Sequence, residues 1–315
     1  MQATGPTSAS AAARPPGWRP AVSVIVPCYN GERFLDSLMA SLACQTFQDF
    51  EIVIVDDGSD DEATSRKLAS LTDRARVIRQ DNRGPAAARN TAILAARADI
   101  VAMVDCDDTV EPHFLAETVP LLAAAPSEIG MVVAHARLAG AGAGVWRCYF
   151  NRFDLLFTNT LSVALVVRKR CWLAVGGYDE SMREGYEDWD FSLRLVEAGF
   201  RAIEVPKPLY NYYIRPDTMW FSRTSSVDGN RLHARLWRAI RHKHVQSYSL
   251  MAMLRLWMAS RDGSGRIPLW KGLAAYVLTH LLPDAWFSWL VAELRGRADA
   301  SARPDAGRLH SLKGA

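Results

Sequence analysis

Cysteine is scarce and unpaired in this 315-residue chain: Cys28, Cys44, Cys106, Cys148 and Cys171 are odd in number, widely spaced and without a CxxC pair. That argues against both a disulfide framework and a zinc site, and a reducing cytoplasm suits such thiols. Charge of one sign is not in excess either. Thirty-seven basic residues against 34 acidic ones leave a formal +3, so no global field points to nucleic acid as a partner. No run matches the roughly 20 apolar residues of a membrane-spanning helix; Gly272 to Ala292 comes near, but His280, Pro283 and Asp284 break it. Residues 1–20, rich in Ala, Ser, Thr, Gly and Pro with Arg14 and Arg19, lack the apolar stretch of a signal peptide and are expected to form a disordered leader. An internal repeat is also missing.

What the chain does have is apolar sequence, 49% of residues, enough for a full core. Three short runs dominate the first third: VSVIV (Val22 to Val26), EIVIV (Glu51 to Val55) and IVAMV (Ile100 to Val104). Each is rich in β-branched residues and apolar on both faces, as in strands buried within a parallel sheet. Helical candidates lie between them, Phe34 to Cys44 and Pro85 to Ala96, the second opening on a proline at a position where its missing N–H costs nothing. The alternation predicts an α/β nucleotide-binding layer. Further on, Ala123 to Gly144 is rich in Ala and Gly, and VALVV (Val163 to Val167) reads as another buried strand. Gly176-Gly177-Tyr178-Asp179 marks a turn. A helix from Tyr186 carries Trp189, Leu193 and Val196 as its core stripe and ends at Gly199.

Polar residues collect where the three apolar runs stop. The first ends in Pro27-Cys28-Tyr29-Asn30, the second in Asp56-Asp57-Gly58-Ser59 and the third in Asp105-Cys106-Asp107-Asp108. In open α/β sheets the ligand crevice lies beyond the carboxyl ends of the strands, so these clusters are expected to share one pocket. Asp105 and Asp107 form a DxD pair whose oxygen-only donors suit Mg²⁺ or Mn²⁺; the bland alternative is that they cap the next element. Asp108 adds a third charge, uncomfortable without a cation. Asp56 and Asp57 are also good turn chemistry, and Asn82-Arg83-Gly84 also fits a turn before a helix. Yet Tyr29 is suited to stack on a base, Asp57 to accept a pyrimidine N–H, and Arg83 or Arg89 to sit near phosphate. Near the start of the later helix, Asp188 is placed where the macrodipole favours the ionised carboxylate of a general base, with Glu187 and Asp190 as competitors.

In order and approximate spacing, PxYN, QTFQDFEIVIVDDGSDD, NRGPAAARN, VDCDD, GGYDE and GYEDWDFSLRL resemble the family-two glycosyltransferases of GT-A fold over roughly residues 20 to 215. The resemblance implies a Rossmann-like α/β GT-A fold and an inverting transfer of sugar from a UDP- or dTDP-sugar to a hydroxyl, in synthesis of a cell-surface glycan or a glycolipid. It implies that Pro27 and Tyr29 line the nucleoside pocket, that Asp57 binds the base, and that Asp105 and Asp107 meet Mn²⁺ or Mg²⁺ and the sugar diphosphate with Cys106 between them. Asn82, Gly84 and Arg89 match the segment beside the nucleotide. Asp188 matches the catalytic base, which makes Glu187 and Trp189 acceptor-side candidates. A QxxRW pattern, associated with processive polymer synthases, is missing after Asp188, which favours one transfer per encounter. Two other classes are weighed: a sugar-phosphate nucleotidyltransferase, which needs a glycine- and arginine-rich loop after the first strand that is not there, and a non-catalytic nucleotide-sugar sensor, which needs no acceptor-side base.

These motifs place a catalytic domain over 21–229, a helical region over 230–297 and a disordered tail over 298–315. Between Arg231 and Arg297, basic residues interleave with Trp237, Trp257, Trp270, Trp286 and Trp289. That pattern, with the apolar stretch split at Pro283-Asp284, is expected to rest on the inner face of a membrane without spanning it; a helical cap packed on the catalytic domain or a partner subunit is the alternative. The expected partners are a nucleotide-sugar and a glycan or lipid-linked acceptor.

Overall fold

The computed structural model describes residues 17–161, 164–215, 227–260 and 267–281. The expected leader (apart from residues 17–20), the C-terminal tail, Val163, Pro283-Asp284, Trp286 and Trp289 lie outside these residues. The first half contains the three strands and two helices its sequence predicts, with a further strand and helix between the second and third runs. Strands β1 (Val22–Cys28), β2 (Phe50–Asp56), β3 (Arg76–Arg79) and β4 (Ile100–Met103) run parallel, with β1 between β2 and β4 and β3 outside β2. Every residue of β1, β2 and β4 is buried, because helices cover both faces. The pleat sends Val22, Val24 and Val26 into one core with Leu35, Leu38 and Leu42 of α1 (Glu32–Ala43), and Ile25 into a second core with Ala88, Ala92 and Ile93 of α3 (Pro85–Ala95). Both helices sit within two residues of their expected bounds. Between β2 and β3 lies α2 (Glu62–Ala69), whose N-terminus is capped by the Asp61 carboxylate on the Thr64 N–H.

The second half keeps the expected strand near 163–167 and the helix after Tyr186 but adds strands the sequence did not show. After β5 (Thr109–Val110) and α4 (Phe114–Ala124), the Ala- and Gly-rich stretch forms a 12-residue strand, β6 (Ile129–Gly140), buried from Gly130 to Ala136. β7 (Val145–Trp146) and a 3₁₀ turn (Asp154–Leu156) precede β8 (Leu165–Arg168) and α5 (Lys169–Ala174). β8 is antiparallel to both β4 and β6. The helix that carries Asp188 is α6 (Glu187–Glu197), followed by a 14-residue strand, β9 (Arg201–Ile214), parallel to β6. The sheet order is β3-β2-β1-β4-β8-β6-β9-β5, with β7 beside β6. Pro206 and Pro208, which argue against a strand in sequence, coincide with register shifts around His135 and Pro208, where a bulge absorbs them. On α6, Trp189 and Leu193 are buried as expected, but Leu195 rather than Val196 completes the buried face. Gly199, at φ +90°, ends the helix, with the Phe200 N–H returning to the Leu195 carbonyl.

Three further helices follow: α7 (Val227–Lys243), α8 (Leu250–Ala259) and α9 (Leu269–Leu281). Ile240, Tyr248 and Met253 enter the same core as α3 and α6. Charge fastens this packing. Asp190 on α6 meets Lys243 at 2.7 Å and His244 Nε2 at 3.1 Å, while His244 Nδ1 reaches Glu197 at 2.8 Å. Among the described residues no helix is long and apolar enough to cross a membrane.

Candidate active site

The carboxyl ends of β1, β2 and β4 open into a cleft of about 890 Å³. Pro27, Tyr29, Asp57, Asn82, Gly84, Arg89, Asp105, Cys106, Asp107, Glu187, Asp188 and Trp189 all line it, whereas Arg83, Asp108 and Asp190 do not. The two acids of the second cluster divide their work. Asp56 turns away, accepting from Arg79 and from the Ser59 N–H at 2.9 Å. Asp57, almost fully buried, faces the cleft: its Oδ1 accepts from Gln80 Nε2 at 2.7 Å and the Arg83 N–H at 3.0 Å, and its Oδ2 accepts the Gly84 N–H at 2.7 Å. Gly58 makes this turn possible. Its φ is +74°, and a Cβ there would stand 2.7 Å from the Asn82 nitrogen. Tyr29 remains 46% exposed at the lip.

Asp105, Asp107 and Asp108 each offer a carboxylate oxygen within 4.8 Å of the others. Two of them face cations already. Arg89 Nη2 lies 2.7 Å from Asp105 and Arg215 Nη1 lies 2.8 Å from Asp107. Each contact uses one oxygen, so Asp105 and Asp107 retain a hard donor apiece, as a Mg²⁺- or Mn²⁺-type site requires. Asp108 is different. It is buried, and accepts the Tyr210 hydroxyl at 2.8 Å and the Tyr213 N–H at 2.8 Å, so this third acid ties β9 to the end of β4. The expectation of an Arg near phosphate is modified in the same way. Arg89 is buried, bridging Asp105 and, at 2.7 Å, Glu187, while Arg83 pairs with Glu180. Arg89 thereby links the DxD loop to the α6 N-terminus.

Asp188 stands at the second position of α6. Its Oδ1 accepts the Trp189 N–H at 2.8 Å and its Oδ2 accepts the Asn159 amide at 2.9 Å. The macrodipole argument does not prevail here. Burial, followed by the adjacent Glu187 carboxylate, pushes its pKa up from 3.8 to about 7, against the pull of Arg89 and the Trp189 N–H. That value suits a base that takes a proton near neutrality and is not saturated with one. The neighbouring acids are placed differently. Asp190 is fully buried and salt-bridged to Arg194, Lys243 and His244 on the far side of α6. Glu187 is held by Arg89. Trp189 is only 2% exposed and donates its indole N–H to the Leu155 carbonyl, so it is chiefly a packing residue.

Several residues of the cleft were not assigned to it from the sequence, Trp237 among them, which was read instead as part of a membrane-facing pattern. Asn159 sits in an irregular loop, and Tyr212, His233 and Trp237 reach the cleft from β9 and α7. Asn90 stands behind the cleft wall: its amide donates to the Tyr178 carbonyl and Glu180, and its Oδ1 accepts from the Trp172 indole and the Tyr178 N–H. It fixes the GGYDE turn against α3. The second asparagine of NRGPAAARN was the signal that was available.

The likenesses agree with this geometry. Residues 23–156 match the family described as glycosyl transferase family 2, and residues 146–229 match glycosyltransferase like family 2. The O-antigen biosynthesis protein RfbC of Myxococcus xanthus is 30% identical over 201 residues, which are 61% of this chain and 16% of RfbC. Against three such curated relatives the chain spans 16% to 33% of their length. Among solved structures, the mannosyltransferase PcManGT of Pyrobaculum calidifontis, in complex with GDP-Man and Mn²⁺, aligns with TM-score 0.56 at 21% identity, over 92% of this chain and 78% of that one. S. aureus TarS 1–349 with UDP-GlcNAc aligns with TM-score 0.57 at 19% identity, over 90% and 92%. These two establish the GT-A fold. With two adjoining family-2 segments spanning the cleft and a GT-A sheet beneath them, the chain belongs to glycosyltransferase family 2.

Proposed function

We propose that this protein is an inverting glycosyltransferase that moves a sugar from a UDP- or dTDP-sugar to a hydroxyl acceptor, one unit per encounter, in assembly of a cell-surface glycan. The observation that carries the proposal is Asp188: a carboxylate in the donor cleft, oriented by two hydrogen bonds, with a pKa near 7. In this mechanism Asp188 takes the proton of the acceptor hydroxyl as its oxygen bonds to the anomeric carbon. The bond to the diphosphate oxygen breaks on the opposite face, and the configuration inverts. Asp105 and Asp107 are the residues that would hold a divalent cation, whose charge would offset that of the departing diphosphate. Asp57 supports a pyrimidine: the hydrogen bonds it accepts among the described residues leave one acceptor direction on Oδ2, suited to an imide N–H. The similarity to RfbC supports the glycan assignment.

A membrane-proximal acceptor has its own support. Met251, Met258 and Trp270 are 61%, 58% and 66% exposed on α8 and α9, with Arg255 and Lys271 also exposed, a composition suited to the surface of anionic lipid.

The decisive experiment is a panel of UDP-, dTDP- and GDP-sugars with Mn²⁺, scored for thermal stabilisation and for donor turnover. A uridine or deoxythymidine donor is expected to raise Tm and to be consumed, and Asp188→Asn is expected to lower kcat by about 100-fold or more with nucleotide affinity kept. Donor turnover undiminished in Asp188→Asn would overturn the assignment of the base. A preference for GDP-sugars would overturn that of the nucleotide.

A further inference from the structure

We infer that the half of the cleft around Asp188 is an acceptor subsite built for a neutral pyranose ring. The inference rests on the glycosyl-transfer function proposed above and adds the chemical class of the acceptor.

Sheet order divides the cleft at the DxD loop. Pro27, Tyr29 and Asp57 follow β1 and β2 on one side of β4; β6, β7 and β9 lie on the other. That second side is lined by the rings of Trp146, Phe157, Tyr186, Tyr212, His233 and Trp237. All six are neither fully buried nor fully exposed. Rings that served only as core would be covered, and rings on an ordinary surface would be scattered. These are instead fixed at partial exposure by their neighbours. Trp146 and Tyr212 meet edge to face at 6.1 Å, Tyr186 and His233 at 5.4 Å, and the Arg241 guanidinium packs 3.8 Å from the centre of the Trp237 ring.

The remaining lining selects among ligands. Among the described residues the arginines in the cleft wall are Arg89, spent on Asp105 and Glu187, and Arg183, which donates to the Asn82 carbonyl and amide oxygen on the nucleotide side. Among the described residues no further lysine or arginine lines the cleft, and Arg89, the arginine nearest Asp188, is already committed to two carboxylates, so an anionic acceptor head is disfavoured. A bare hydrocarbon is a poor fit as well, because Thr158, Asn159 and His233 set polar atoms among the rings. A pyranose satisfies both conditions. Its axial C–H groups carry slight positive charge and lie well on the negative face of an aromatic ring, while its equatorial hydroxyls reach side-chain donors and acceptors.

The test uses the full chain with its best nucleotide-sugar and Mn²⁺, and a set of methyl pyranosides (gluco, galacto, manno, rhamno and N-acetylglucosamine) against glycerol and 1-octanol. Acceptance is read by product formation, and binding by saturation-transfer NMR with nucleoside diphosphate present. At least one pyranoside is expected to bind and to act as acceptor where the two alcohols do not. Trp146→Ala and Trp237→Ala are each expected to raise its KM about 5- to 10-fold, with the calorimetric Kd for nucleoside diphosphate unchanged. Trp237→Phe, which keeps a ring, should recover most of the loss if folding is not the cause. Three results would overturn the subsite: no pyranoside bound up to its solubility limit, the alcohols accepted equally well, or both alanine variants leaving acceptor KM unchanged. Failure of the transfer function itself shows differently, as donor turnover that survives Asp188→Asn.

Discussion

At the scale of single residues, the chemistry of this site is set by what surrounds each carboxylate. Asp108, Asp190 and Asp188 share a side chain, yet the first ties down a strand, the second anchors a helix and only the third meets the cleft with a pKa near 7. The sign of the pH dependence follows. Because burial raises the Asp188 pKa to about 7, Asp188 is mostly protonated at pH 6 and ionised at pH 8, so with Asp188 in its proposed role as the base kcat/KM is expected to climb through neutrality to a plateau on the alkaline side. Asn159 donates to the ionised form, so Asn159→Ala is expected to move that acid limb to higher pH. Initial rates from pH 5.5 to 9 in both proteins check this. An unmoved limb would leave Asn159 as a spacer. Nothing in the sequence around Asn159 marked it, since an asparagine in a loop is ordinary; only its approach to a residue 29 positions away gives it a role.

At the scale of elements, legibility tracked burial symmetry. β1, β2 and β4 are covered on both faces, so their sequences are continuous apolar runs that can be recognised without the fold. β9 was illegible because two prolines interrupt it and its residues alternate irregularly between cover and exposure; the bulge opposite His135 is a tertiary accommodation. Turns were read where glycine was obligatory. Gly177 is such a case: at φ +78° a Cβ would stand 2.8 Å from the Asn90 amide oxygen and 3.1 Å from the Trp172 ring. Gly177→Ala is therefore expected to cost about 1–3 kcal/mol, measurable as a lower urea midpoint with the slope unchanged. A midpoint equal to that of the parent would mean the turn relaxes, and the Asn90 hub is softer than its hydrogen bonds suggest.

At the scale of the whole molecule, the C-terminal helices belong to the catalytic unit more than their composition implied. A chain cut near Asn230 would lose Ile240, Tyr248 and Met253 from the core and Trp237 from the cleft. Membrane contact is therefore better tested with the intact chain carrying serine at Met251, Met258 and Trp270. The parent is expected to co-sediment with anionic vesicles at low salt and to be released at high salt, and the triple variant to stay in the supernatant. Equal sedimentation of the two would assign those residues to another contact. Metal dependence also belongs to this scale, because Asp105 and Asp107 sit where β4, α3 and the segment after β9 meet through Arg89 and Arg215. Chelation is expected to abolish transfer and Mn²⁺ or Mg²⁺ to restore it, followed by product formation; an unchanged rate in excess chelator would remove the cation from the mechanism.

The sequence by itself determined the parallel half of the sheet and the clustering of Pro27, Tyr29, Asp57, Asp105 and Asp107 at its carboxyl edge, because strand periodicity and the position of a strand end are local properties; Asp188 as the base is a proposal that came from the family resemblance. Tertiary structure alone decided which of the neighbouring acids face the cleft, that Arg89 bridges Asp105 to Glu187, and that rings from β7, β9 and α7 gather beside Asp188. The reason is physical: a pKa and a partner depend on burial and on charges several ångströms away, and these come from segments up to about a hundred residues distant, such as Arg89 and Glu187.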